Sequence, residues 1–490
     1  MTDRNILVII CDQLSALALE AYGNKDHKAT HIDRLARESM VFDQAYCTTA
    51  LCQPSRASFW TSRYPHETKI DSNLRQFTFE SLHQDMETLG EQFSAAGYTC
   101  IHFGKEHDYG SLRGFRRVKS EEIKIERDDP ALNYAYETFL DIDTTDHVLN
   151  WLESSEAKKA PFLAVADMQN PHNICFYIGE NQDGTQDFLG NPDLPELPFN
   201  FETEDMDTRA DYVRYMCCSH RRLRNAAHWS DEDYRHYLYA YYAYIDIVDK
   251  QIGQILNQLE QQALDENTLV VLMADHGEGM AAHRMVTKSG SFYENIMRVP
   301  FMFRLPKRVS EDRPGKKLPG LASLLDLKPT LAAYAGLKPS PKDRGHNLWP
   351  EILRGGETIS TAPYVVSQWQ DEFVEYTVPG RMYRFEDYKY IVYRDFDPAG
   401  SKKIVEQEEF YDLAKDPGET KNLIQDASYQ TWIRQARQGL QKHIEDVEDP
   451  FYNQNPDYDR TRYRQHAPGY QNHEGLSAVE IYTRKRDGLM

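Results

Sequence analysis

The chain has 490 residues, 27% of them charged and 40% hydrophobic, with a formal net charge of −21. The length exceeds what one ordinary core organises and points to two domains, and the balance is that of a folded globular chain. The acidic surplus disfavours nucleic acid and long polyanions as partners, and no run of about 20 apolar residues is present to span a membrane. The first apolar run begins at Asn5, which leaves no room for a secretory leader. The expected location is therefore cytoplasmic, or periplasmic or secreted if a leader has been trimmed away. Seven cysteines (Cys11, Cys47, Cys52, Cys100, Cys175, Cys217, Cys218) form an odd set with no repeated spacing and read as reduced thiols.

In chain order, Asn5–Cys11 (NILVIIC) predicts a strand buried on both faces. Asp12 and Gln13 stand where it ends. An aspartate there is either a helix cap or a metal ligand, because ligand-binding groups in open α/β sheets gather beyond the carboxyl ends of strands. A short helix is expected over 30–39 and an extended segment from Val41 to Tyr46. Then comes Leu51-Cys52-Gln53-Pro54-Ser55-Arg56-Ala57. Read alone, Cys52 is either a buried structural thiol before a proline turn or the source of a nucleophile. A helix is expected to begin at Ala57, its N-terminal amides facing that position, with Arg56 beside it. Asn73 follows in a loop, as a surface residue or as a polar contact for a substrate.

Met86 to Gly97 reads as an amphipathic helix, and Tyr98 to Phe103 as a strand leading into Gly104-Lys105-Glu106-His107. Lys105 and His107, two residues apart, point the same way along an extended segment. The strand 161–167 ends before Asn170-Pro171-His172, whose Pro-His dipeptide alone is more often an ordinary turn. Residues 176–235 are polar and acidic and read as a long insertion; 233–259 is a helix with Tyr241, Ile245, Val248, Ile252 and Ile255 at three- and four-residue spacing. The strand from Thr268 to Ala274 delivers Asp275-His276-Gly277-Glu278-Gly279. His283 and Lys288 follow, His283 being a structural loop histidine or a substrate contact. A helix over 324–331, short alternating strands from Thr361, a helix over 427–446 and an aromatic, histidine-bearing tail (Tyr452, Tyr458, Tyr463, His466, Tyr470, His473) complete the chain.

Cys52-x-Pro54-Ser55-Arg56, Gly104-Lys105-x-His107, Pro171-His172, Asp275-His276 and Lys288 occur in an order that resembles the type I, formylglycine-dependent sulfatases of the alkaline-phosphatase-like superfamily. The resemblance runs from the first strand to about Leu423. It implies a mixed central β-sheet sandwiched by helices over residues 1–360, and a smaller C-terminal antiparallel α+β subdomain over 361–490. It also implies that Cys52 is oxidised by a formylglycine-generating enzyme, and that Asp12, residue 52, Asp275 and His276 bind a divalent cation. Calcium is expected, with manganese as the alternative because a histidine softens the site. In the same resemblance Arg56 and Lys105 neutralise the nucleophile, His107 takes its proton, His172 protonates the leaving oxygen and Lys288 binds sulfate. Asn73 and His283 are the further substrate contacts. The substrate class is a small sulfated carbohydrate. The lone Asp12, preceded by Cys11, and the Asp275-His276 pair also match phosphonate monoester and phosphodiester hydrolases of the superfamily, which stand as the alternative.

Overall fold

Strand β1 (Asn5–Cys11) is the axis of the fold, with all seven residues buried. The computed structural model describes residues 4–73, 81–107, 109–120, 138–159, 161–180, 193–202, 208–213, 226, 229–288, 290–310, 315–355, 362–370, 377–397 and 403–457. β1 pairs in parallel with β5 (Phe162–Met168) on one side and β6 (Thr268–Met273) on the other. Beyond β5 lie β3 (Thr99–Gly104) and the edge strand β4 (Arg116–Val118), both parallel. On the other side β7 (Phe301–Arg304) runs antiparallel to β6 and to β2 (Met40–Tyr46), and β8 (Lys316–Ser323) pairs in parallel with β2. The result is a mixed eight-stranded sheet in the order β4-β3-β5-β1-β6-β7-β2-β8.

Helices gather around it in two sets. Thr138–Glu153 packs on β3, β5 and the long helix Asp231–Gln261, which also meets Thr30–Arg37; Cys52–Thr61 packs with Leu89–Ala95 and Leu327–Ala335. The 31-residue helix is capped by Ser230, whose side chain accepts from Asp233 N while the Asp233 carboxylate takes Ser230 N.

A second, antiparallel sheet comprises β9 (Tyr364–Trp369), β10 (Gly380–Phe385), β11 (Tyr388–Phe396) and β12 (Ile404–Asp412), in the order β12-β11-β10-β9. Alternation along these strands divides their side chains between two cores. Val365, Met382, Ile391, Tyr393 and Tyr411 join the main core, while Val366, Tyr383, Tyr390, Val392 and Phe410 pack with Ile433, Ala436, Leu440 and Ile444 of helix Gln430–Asp446. Buried ions tie this sheet to its surroundings. Lys389 lies 2.7 Å from Glu294 and 2.8 Å from Glu419, and Arg381 makes a two-pronged contact with Asp449.

Several boundaries differ from expectation. The helix expected from Ala57 starts at Cys52, because Pro54 sits in the first turn, where a missing N–H costs nothing. The helix expected from Met86 starts at Leu89, where Thr88 and Glu91 form a reciprocal cap. Leu324–Asp326 is a 3₁₀ turn before the helix Leu327–Ala335. Much of the expected insertion, and Tyr458, Tyr463, His466, Tyr470 and His473 of the tail, lie outside the described residues, as do Cys217 and Cys218.

Candidate active site

Four neighbouring parallel strands end at one edge of the large sheet. Asp12 follows β1, Lys105 follows β3, Asp167 lies near the end of β5, and Asp275 comes two residues after β6. Strand β3 passes very close to β5 there. Gly104 has φ +93°, and a Cβ on it would fall 2.2 Å from the carbonyl oxygen of Asp167, so only glycine fits before Lys105.

The N-terminus of helix Cys52–Thr61 meets this edge, and every residue of the helix is buried. Cys52 is its first residue. Gln53 N donates to Asn73 Oδ1 at 3.1 Å, and Ser55 Oγ donates to the Asp275 carbonyl at 2.6 Å. A distant loop thus caps the helix, and a serine ties it to the strand that carries Asp275.

One turn in, Arg56 is 2% exposed and spends its whole guanidinium on carboxylates. Nη2 meets Asp12 at 3.1 Å, Nη1 meets Asp167 at 2.6 Å and Nε meets Asp275 at 2.9 Å. Asp167 is held in turn by His102 Nε2 at 3.1 Å. Burial alone would weaken the Arg56 charge, but the three carboxylates hold its pKa well above the usual value. The direct partners of Arg56, expected beside the nucleophile, are the carboxylates that flank it.

Around Cys52 Sγ stand Lys288 Nζ at 3.1 Å, His276 Nε2 at 3.2 Å and Asp12 Oδ1 at 3.8 Å. Lys105 Nζ lies 2.6 Å from Asp12 Oδ2. Burial raises the thiol's pKa, yet Lys288, His276, Lys105 and a hydrogen bond to His107 together bring it well below the ordinary value. His172 also hydrogen-bonds Cys52; burial, then Lys105 and Lys288, push its imidazole down to about 3, so the ring is neutral at rest. Gln169 Nε2 donates to His172 Nδ1 at 3.0 Å, leaving Nε2 to carry the ring proton. The loop bearing these groups hangs on Asp141, which accepts from Gln169 N at 2.6 Å, Asn170 N at 3.0 Å and Asn170 Nδ2 at 2.8 Å.

Asp12, Cys52, Asp275 and His276 each present one donor atom, all within 4.8 Å of one another. Their second atoms are already engaged elsewhere. Asp12 spends Oδ2 on Arg56 and Lys105, and Asp275 spends Oδ2 on Arg56. His276 Nδ1 faces the Gly277 carbonyl at 2.9 Å, which fixes the tautomer and turns the Nε2 lone pair toward residue 52. Two carboxylate oxygens and one imidazole aimed at a common point fit a divalent cation.

The structure thus brings together Asp12, Cys52, Arg56, Lys105, His107, His172, Asp275, His276 and Lys288. It uses the other two differently. Asn73 caps the nucleophile helix. His283 is fully buried, lies tilted with its ring centroid 4.4 Å from that of Tyr293 and donates its backbone N–H to the Asn200 carbonyl. Sequence reasoning missed Asp167, His102, Asp141 and the carboxylate Glu278, whose partners lie far away along the chain.

The description of the sulfatase family matches residues 4–337, and that of the N-sulphoglucosamine sulphohydrolase C-terminal region matches 282–446. A Delta 4,5-hexuronate-2-O-sulfatase of Bacteroides thetaiotaomicron is 41% identical over 481 residues, covering 98% of this chain and 97% of that protein. The chain belongs to the sulfatase family. Among solved structures, a 2-O GAG sulfatase superposes with a TM-score of 0.85 at 40% identity, covering 98% of this sulfatase and 99% of that chain. The phosphonate monoester hydrolase of Agrobacterium radiobacter shares the fold, with a TM-score of 0.68 at 20% identity over 93% of this chain and 100% of its own. Like its relatives, this sulfatase is a sulfuric ester hydrolase, and its family implies a formylglycine and a divalent metal.

Proposed function

We propose that this sulfatase removes the 2-O-sulfate from a small hexuronate-containing saccharide. Support comes from the 41% identity with the Bacteroides thetaiotaomicron Delta 4,5-hexuronate-2-O-sulfatase across almost the whole of both chains. The observation that carries the chemistry is the ring of Lys288, His276 and Asp12 around Cys52 Sγ at the start of a buried helix. The residue here is an unmodified cysteine, so Sγ stands for the hydroxyls of a hydrated aldehyde. A formylglycine-generating enzyme is the partner that would install it.

Matured, residue 52 supplies two geminal hydroxyls, one to attack sulfur and one whose deprotonation expels sulfate. Calcium, or manganese in its place, would be held by Asp12, residue 52, Asp275 and His276, and supplies positive charge against the sulfate oxygens. Lys105 and Lys288 add fixed positive charge on the two sides of residue 52, in a site dry enough for that charge to count. His107, hydrogen-bonded to residue 52, is placed to take the proton of the second hydroxyl. His172 offers its Nε2 side to the departing sugar oxygen. The negative charge of a bound sulfate ester opposes the two lysines and raises the imidazole from its resting value, which lets it serve as an acid once the Gln169 amide turns its oxygen to Nδ1.

The single aspartate after β1 and the Asp275-His276 pair also favour a phosphonate monoester or phosphodiester hydrolase as the second reading. Sulfate release from unsaturated disaccharides bearing 2-O-, 4-O- or 6-O-sulfate, run beside nitrophenol release from the nitrophenyl monoester of phenylphosphonate, tests both. The 2-O-sulfated disaccharide is expected to give the highest kcat/KM. Faster turnover of the phosphonate would overturn the proposal.

A further inference from the structure

Lys288 touches residue 52 on one side and an amide on the other. Its Nζ donates to Gln13 Oε1 at 2.8 Å, and Cys175 Sγ donates to the same oxygen at 3.4 Å. Gln13 is fully buried and its backbone is left-handed, with φ +69°. That conformation is held from both sides: Gln13 N donates to Asp275 Oδ1 at 3.1 Å, and Tyr241 Oη donates to the Gln13 carbonyl at 2.7 Å. The other end of the amide, Nε2, donates to Glu278 Oε2, and Tyr237 Oη donates to Glu278 Oε1. Glu278 is also fully buried and follows His276 by two residues.

We infer that Gln13, Glu278 and Tyr237 are positioning residues that set where the Lys288 ammonium stands and leave its charge for the sulfate. The inference rests on Lys288 meeting the sulfate, as proposed above. A carboxylate only accepts, so Glu278 demands the NH2 side of the Gln13 amide. That fixes which way the amide lies and turns its carbonyl oxygen to Lys288. A neutral amide at position 13 has a second consequence. A carboxylate in direct contact with Lys288 would cancel much of its charge in this dry pocket, whereas a carbonyl dipole orients the ammonium without neutralising it. The Glu278 carboxyl is kept behind Gln13, which stands between it and Lys288. Tyr237, fixed in the long helix, holds Glu278 from behind.

The test is a double-mutant cycle in the matured enzyme, reading kcat/KM on nitrophenyl sulfate and inhibition by inorganic sulfate. Glu278→Gln lets the amide at position 13 turn over, and kcat/KM is expected to fall about 10–100-fold, as when a hydrogen bond to a charged group is lost. Inhibition by sulfate should weaken in parallel. In a Lys288→Ala background the same change should cost nothing further, because the group it positions is gone. Losses that multiply with that of Lys288→Ala would overturn the inference, as would an unchanged kcat/KM. A loss repaired by added calcium or manganese would also overturn it, by assigning these residues to metal binding. Tyr237→Phe removes one hydroxyl and carries the same cycle should Glu278→Gln fail to fold, with a several-fold loss expected. Absence of wild-type turnover on any sulfate ester would count against the proposed function instead, so the two failures are distinct.

Discussion

Arg56 shows how much of this site is settled at a single position. Its guanidinium meets three buried carboxylates, and two of them belong to the candidate metal ligands. Arg56→Met would remove the cation shared by three buried carboxylates, leaving Asp12 only Lys105 and Asp167 only His102, and a loss of about 3–5 kcal/mol in urea unfolding is expected. Stability within about 1 kcal/mol of wild type would show that the carboxylates are neutralised by other means. His172 and Lys288 separate proton delivery from anion binding. A sugar alkoxide leaves poorly without a proton, whereas a nitrophenolate hardly needs one. His172→Ala should therefore slow sugar sulfate hydrolysis by on the order of 10²–10⁴-fold and nitrophenyl sulfate hydrolysis far less. Lys288→Ala should damage both more evenly, as judged by kcat/KM on the two substrates. Equal losses for His172→Ala would reduce that residue to a sulfate contact.

The nucleophile helix was half legible before its structure. Its motif is plain, but a helix expected from Ala57 begins five residues late, since Pro54 belongs to the first turn of Cys52–Thr61. Strands β1, β5 and β6 are readable because burial on both faces leaves a nearly continuous apolar run. Strands β7 and β8 are not, since four short residues and a half-exposed edge carry little pattern. The same limit hid Asp167, Asp141 and Glu278, whose partners are up to 265 residues away and emerge only when strands align. Asn73 is the instructive case at this scale. Its loop position suggested a substrate contact, yet its carbonyl oxygen takes Gln53 N of the helix. Asn73→Ala should cost about 1 kcal/mol in thermal unfolding, the usual value of a cap, with KM little changed. A large rise in KM without loss of stability would return Asn73 to the substrate.

Across the whole molecule, a net charge of −21 surrounds a pocket whose residue 52 is faced by Lys105 and Lys288. The acidic exterior suits a small anion drawn into a local positive field better than a long polyanion laid along the surface. The two sheets are joined by buried polar contacts as well as apolar ones, and one of these responds to acid. His443, 4% exposed, lies edge-on to the rings of Tyr64 and Tyr364, and burial pushes its imidazole down to about 4 from 6.5. Between those values the unfolded chain binds a proton that the folded chain refuses. Stability contributed by the neutral ring is thus complete above about pH 6.5 and falls as pH drops toward 4, by on the order of 3 kcal/mol. His443→Phe should flatten this acid slope in urea unfolding measured from pH 7 to 4.5, and an identical slope would show that His443 is already charged in the folded state.

The central claim, that residue 52 becomes a two-hydroxyl nucleophile, is tested most directly by peptide mass spectrometry of protein with measured sulfatase activity. Specific activity should rise in proportion to the fraction of residue 52 found as the aldehyde, about 18 Da below cysteine, or as its hydrate. Full activity in protein whose Cys52 is entirely unmodified would contradict the account.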